Sequence, residues 1–262
     1  MKRLLIILVV AGVMSVGTIA AQEQACGCWL GVGGGAGYGV YCDQGTSPLI
    51  YEGLEARPTL SFLLERERWR LAASIPFGVG IYMDKLKIGE PSGYALSPEA
   101  RVGAMWQVWS KSRWRVLAAV EGAEMFDFRY TPALGNNGTG TSNFMMLFAG
   151  GRGELDAGPW RFHTQLMVSP VGHAYRPGYA YIANYDQTMD NPVADHFSGH
   201  EGYLVAGASV WWHTGATLML GNGNRLELAY QWHHLTSRTS EHCPHRFDRA
   251  SHTLQATLLF RL

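Results

Sequence analysis

Near the carboxy end of this chain, Trp232-His233-His234-Leu235-Thr236-Ser237 sets an imidazole and a hydroxyl two residues apart. Side chains alternate along an extended strand, so residues i and i+2 share a face. His234 and Thr236 therefore stand together, on the parity of Tyr230 and Trp232. A histidine that deprotonates a neighbouring hydroxyl is the chemistry of a nucleophilic acyl transfer. On a lipid-facing parity a histidine is costly unless it sits at the rim or has a task. The ordinary reading is a pair of rim residues.

His233 takes the other face, and so does His163 on an earlier segment. Both share the inward parity of Glu55, Arg57, Arg70, Glu99, Arg101, Arg115, Glu121 and Glu227. Paired charges and hydrogen-bonding histidines fill a narrow barrel while leaving few polar groups unsatisfied. These ten residues are the expected polar network of a lumen. No metal site and no cofactor is expected from their spacing.

Four cysteines complete the reactive inventory: Cys26, Cys28, Cys42 and Cys243. Cys42 leaves the first predicted strand and Cys243 precedes the last. In a closed barrel those strands are neighbours, so a Cys42–Cys243 disulfide is expected to clip the seam on the outer side. A bridge between residues so far apart restricts the unfolded chain substantially. Cys26 and Cys28 form a C-x-C pair that would make a small strained ring if bonded, or that would need further ligands nearby to hold a metal, and their spacing does not choose between these.

The elements that position these groups begin with a targeting segment. Lys2 and Arg3 precede an apolar run from Leu4 to about Val16, then small residues to Ala20 and Ala21. Residues 1–21 read as a signal peptide and 22–262 as the mature domain. Loss of Lys2 and Arg3 from the 21 basic residues leaves 19 against 21 acidic ones. No basic excess points to nucleic acid. A mean hydropathy of −0.06 excludes a bundle of transmembrane helices, while 32 glycines, 9 tryptophans and 12 tyrosines fit strands, turns and interfacial girdles.

Period-two alternation recurs from residue 29 onward. Along Trp69–Met83, the odd positions Trp69, Leu71, Ile75, Phe77, Val79 and Ile81 oppose Arg70, Ser74, Gly78 and Gly80. Such a run exceeds the usual soluble strand of about five or six residues. The same split marks 54–64, 99–108, 114–129, 160–169, 226–233 and 253–262. Two stretches are less regular: Trp29–Tyr41 is glycine-heavy, and Ser142–Leu155 has bulky residues on both faces. Glu124 falls on the apolar parity of its strand, which predicts a bulge.

Tight connections near 66–68, 110–113, 156–159 and 221–224 alternate with longer ones near 42–49, 84–94, 131–141, 171–200 and 236–250. Short turns at one end and long loops at the other characterise membrane barrels. The expectation is an all-β, antiparallel up-and-down transmembrane barrel of about ten strands. A soluble barrel would reverse the faces, greasy inside and polar outside. The 171–200 loop carries Tyr175, Tyr179, Tyr181 and Tyr185 among polar residues, a composition suited to contact with a ligand or partner.

The closing stretch Thr257-Leu258-Leu259-Phe260-Arg261-Leu262 resembles the last strand of bacterial outer-membrane proteins, which the barrel-assembly machinery reads. The resemblance implies export to the outer membrane and contact with its lipid. The run from Trp232 to Ser237 resembles the lipid A 3-O-deacylases, whose catalytic histidine and serine lie two apart near the end of the penultimate strand. It implies His234 as base, Thr236 as nucleophile in place of serine, and Asp248 as the acid orienting the imidazole. Asp195-His196 gives a fainter resemblance to the omptin proteases, ten-stranded barrels with acidic pairs and a histidine in their loops. The expected function is a barrel with a filled polar lumen and exposed loops, structural or partner-binding. A lipid-facing esterase is the alternative, and an omptin-like protease the remoter one.

Overall fold

The computed structural model describes residues 26–45, 47–84, 93–132, 139–177, 200–237 and 246–262. Of the expected features, residues 1–21, Cys243, Asp195 and His196 lie outside the described residues.

Eleven strands run in chain order: β1 (Gly27–Asp43), β2 (Ser47–Ala56), β3 (Thr59–Glu65), β4 (Trp69–Asp84), β5 (Gly93–Lys111) and β6 (Trp114–Tyr130). They continue as β7 (Thr139–Ala157), β8 (Trp160–Pro177), β9 (His200–Met219), β10 (Arg225–Ser237) and β11 (Phe247–Arg261). All pairings are antiparallel between ring neighbours, and β11 closes on β1 from Trp29↔Arg261 to Asp43↔Phe247. β2 and β3 are two halves of one barrel strand, both lying between β1 and β4. Pro58 interrupts the regular ladder because it has no N–H to donate. Pairing continues across the break, since the Arg57 N–H donates to the Gly35 carbonyl at 2.8 Å and the Phe77 N–H to the Pro58 carbonyl at 2.9 Å. The ring therefore has ten staves.

Faces divide as a transmembrane barrel requires. Leu54, Val102 and Leu254 point outward at 73%, 66% and 69% exposure, while inward Glu99, Arg101 and Glu154 are at 2%, 7% and 1%. A soluble barrel would show the reverse. At one rim the outward side chains are Trp106, Trp109 and Trp114, at the other Tyr38, Tyr94 and Tyr130. Amphipathic rings of this kind sit at the two membrane–water interfaces.

The described turns are tight at the tryptophan rim. Ser112, Gly158 and Gly223 there take φ of 55°, 62° and 84°. Glycine suits Gly158 and Gly223 because a left-handed φ crowds any Cβ. Two expectations are corrected. The connection between β1 and β2 is short, Asp43 to Ser47, so long and short connections do not alternate strictly. Glu124 sits in unbroken register with Met145 and needs no bulge. Its carboxylate faces outward and accepts from Asn143 Nδ2 at 2.8 Å, which supplies a partner for the charge. The irregularity lies instead in β5, between Gln107 and Trp109.

Candidate functional site

The lumen holds the densest chemistry, and it is arranged in tiers. Nearest the tryptophan rim, Glu65 of β3 pairs with Arg161 of β8 at 2.8 Å and with Arg225 of β10 at 2.6 Å. In the same tier Arg70 of β4 donates to Glu154 of β7 at 2.8 Å, and Arg115 reaches Asp156 at 2.9 Å. Arg152 meets Glu154 at 2.7 Å, and the Arg225 guanidinium lies 3.6 Å over the Trp29 ring. In the middle tier Arg57 meets Glu99 at 2.7 Å, and Arg101 bridges Glu99 and Glu121 at 2.7 and 3.0 Å. Arg101 also lies 4.6 Å over Trp211, a cation–π contact.

Towards the other rim, Arg249 of β11 bridges Glu55 of β2 and Asp127 of β6, each at 2.9 Å. The Tyr82 hydroxyl donates to the same Glu55 carboxylate. Asp43 of β1 takes Arg129 of β6 at 2.7 Å and Arg176 of β8 at 2.6 Å. Several of these pairs join strands far apart in the ring, so the guanidinium groups cross the lumen. Buried carboxylates held by two or three arginines offset much of their desolvation through charge-assisted hydrogen bonds.

All ten residues expected in the lumen face inward, and the pairs above join Glu55, Arg57, Arg70, Glu99, Arg101, Arg115 and Glu121 into the lattice. His233 stands in the middle tier, where its Nε2 lies 2.9 Å from the Ser209 hydroxyl. That hydroxyl donates its one proton to the His234 carbonyl at 3.1 Å, so it accepts from the imidazole and is no nucleophile in this arrangement. His163 and Glu227 gather with His213 of β9. The two imidazole centroids are 4.8 Å apart, and His213 Nε2 stands 3.4 Å from a Glu227 carboxylate oxygen.

Sequence reading missed Glu65, Glu154, Arg152, Arg176, Arg225 and Arg249 as network members, and missed His213. Extending the inward parity to the strand ends reaches Glu65, Arg225 and Arg249. His213 is harder to find, because Trp211 and Trp212 put bulk on both faces of β9. The lumen is also not wholly polar, which corrects the expectation of a filled polar interior. Ala123, Met125, Phe144, Met146, Phe148, Met167, Leu235 and Phe247 form an apolar sector on the inward faces of β6 to β11. Phe144 stacks on Phe247 at 5.2 Å. A cavity of about 180 Å³ remains in the lumen, bordered by Arg57, Ser61, Arg101, His213, Glu227 and Thr257.

On the outer face, the register sets Thr236 opposite Asp248, and His234 opposite Ala250. His234 stacks parallel to Trp232 with centroids 6.2 Å apart. Asp248 is held by Arg246 at 2.7 Å, and no hydrogen bond joins His234, Thr236 and Asp248. Cys42 stands opposite Asp248 at the end of β1, and its expected partner Cys243 is outside the described residues.

No family model matches the sequence, and no curated protein sequence matches it at a significant level. Solved structures do align with the fold. The outer-membrane protease OmpT from Escherichia coli is 9% identical, with 90% of this chain and 96% of that one covered and a TM-score of 0.47. The translocator domain of the autotransporter NalP from Neisseria meningitidis is 12% identical, covers 97% and 92%, and scores 0.47. Neisserial surface protein A is 10% identical, covers 89% and 97%, and scores 0.35. Ring closure and the inverted burial, rather than these distant likenesses, make this chain a transmembrane β-barrel of the bacterial outer-membrane kind.

Proposed function

We propose that the protein is a closed, non-conducting outer-membrane barrel that serves as a rigid support for surface-exposed loops, structural or partner-binding in role. One observation carries this reading. Ion pairs span the lumen in the tiers at both rims, and the apolar sector fills much of what they leave. A channel needs a continuous wet path, and ten strands give little width for one. The tyrosine-rich segment 171–200 is the proposed contact surface for an extracellular partner. A disulfide from Cys42 to Cys243 would brace the seam between β1 and β11.

The reading is tested in intact cells carrying an epitope inserted between Asn184 and Tyr185. Antibody labelling without permeabilisation is the expected result. Labelling only after the outer membrane is opened would place this loop on the periplasmic side and overturn the proposal.

A second reading, a lipid-facing esterase, draws on the register that brings Thr236 opposite Asp248 with His234 on the same face. There His234 would take the Thr236 proton as its oxygen attacks an acyl ester, pass that proton to the departing alcohol, and then activate a water that releases the acyl chain from Thr236 as a fatty acid. Asp248 would have to leave Arg246 to orient the imidazole. Mass spectrometry of lipid A from producing cells decides it. Loss of an acyl chain that disappears with His234→Ala supports hydrolysis. Unchanged lipid A, with the barrel folded, rejects it for this substrate.

A further inference from the structure

Most buried polar groups of the lumen have partners, so the exceptions are informative. His163 is 4% exposed, and neither of its ring nitrogens makes a hydrogen bond among the described residues. His213 is 7% exposed, and its Nε2 points towards Glu227 without forming an aligned hydrogen bond. Leaving a buried imidazole unsatisfied costs it the hydrogen bonds it would make in water. Two such rings beside one carboxylate make a cluster that lacks a component.

The strands build that cluster deliberately in the geometric sense. His163 lies opposite Gly215 in the β8–β9 register, and with no side chain at that position its ring meets His213 with centroids 4.8 Å apart. His213 is one inward position away along β9, its ring stacked parallel on Trp211 at 5.4 Å, which fixes its plane. Glu227 enters from β10, and Thr217 donates to its other oxygen at 3.5 Å. One donor atom from each of His163, His213 and Glu227 lies within 4.8 Å of the others. Around a tetrahedral ion with bonds of ~2.0–2.1 Å, ligand atoms stand ~3.4 Å apart, so small side-chain rotations close the set.

We propose that His163, His213 and Glu227 bind a divalent first-row transition ion, with Zn²⁺ as its probe. Two imidazoles and a carboxylate suit an ion of borderline softness and do not suit Ca²⁺ or Mg²⁺, which want oxygen cages. The lumen cavity touches His213 and Glu227, so the open coordination position faces it and the ion can enter from there. Glu121 lies within electrostatic reach of His213 and adds negative charge to the site. Arg152 is the nearby cation, and Glu154 holds it at 2.7 Å. The bland explanation is that water satisfies both rings, and the experiment separates the two.

Untagged full-length mature barrel, stripped with chelator, is titrated with Co²⁺ and then with Zn²⁺. The site predicts visible ligand-field bands that saturate near one equivalent and vanish as Zn²⁺ displaces Co²⁺. His163→Gln and His213→Gln should each weaken binding ~100-fold or more, beyond the 10–100-fold typical of supporting residues. His252→Gln, on the outer face, should leave it unchanged. X-ray absorption of the Zn²⁺-loaded native protein, which needs no variant to fold, should show two imidazoles with oxygen donors. No Co²⁺ bands, bands that survive both substitutions, or a sulfur-containing shell from Cys26 and Cys28 would each overturn the site.

Discussion

β1 and β7 stand on opposite sides of the ten-stave ring, and their inward faces could hardly differ more. β1 turns Gly31, Gly33, Gly35, Gly37 and Gly39 towards the lumen, while β7 turns Phe144, Met146, Phe148, Arg152 and Glu154. A narrow barrel cannot carry large side chains from every stave. A thin wall facing a thick one lets aromatic rings and guanidinium groups extend across the axis at native packing density. The thin wall also draws its neighbours close. A Cβ at Gly37 would stand 2.1 Å from the His252 carbonyl oxygen, and backbone cannot yield there cheaply.

The sharpest way to break this pairing of walls is Gly37→Leu, expected to abolish folding, read as loss of heat-modifiable migration in a gel. Its contrast is Gly153→Ala on β7, where a Cβ meets nothing nearer than Thr164 Cγ2 at 3.9 Å. That variant should fold with stability within ~0.5 kcal/mol of the parent. Next comes Glu154→Ala, which strips a carboxylate from Arg70 and Arg152. Unfolding by urea should show a loss of ~3–5 kcal/mol, the cost of leaving buried charge unpaired. Phe148→Ala empties a fully buried site in the thick wall and should cost ~3 kcal/mol in the same assay. Smallest is His234→Ala at the outer face, expected to fall within ~0.5 kcal/mol.

Both walls were the least legible stretches of the sequence, and the same physics explains why. Alternation reveals a strand when one face is apolar and the other polar, as in Trp69–Met83. Glycine gives β1 no inward side chains to read, and Phe144, Met146 and Phe148 make the lumen side of β7 as greasy as its lipid side. Elsewhere parity reaches the inward positions from Glu55 to His233, because lipid leaves most charged groups one favourable direction to face, with Glu124 an exception held by Asn143. Parity does not pair them. That Arg249 meets Asp127, or that Glu65 gathers Arg161 and Arg225, follows from ring closure and stagger, which join residues 122, 96 and 160 positions apart. The histidine cluster escaped for the same reason, since its three members come from three strands and Trp212 disguised the face of His213.

Planar-bilayer recording of the purified native barrel tests the central claim, a lumen closed by pairs that cross it. The account predicts no conductance steps above the detergent control, and steps appearing in the Arg70→Ala, Glu154→Ala double variant, where the rim tier loses both partners of a crossing pair. Stable steps from the native protein would contradict it.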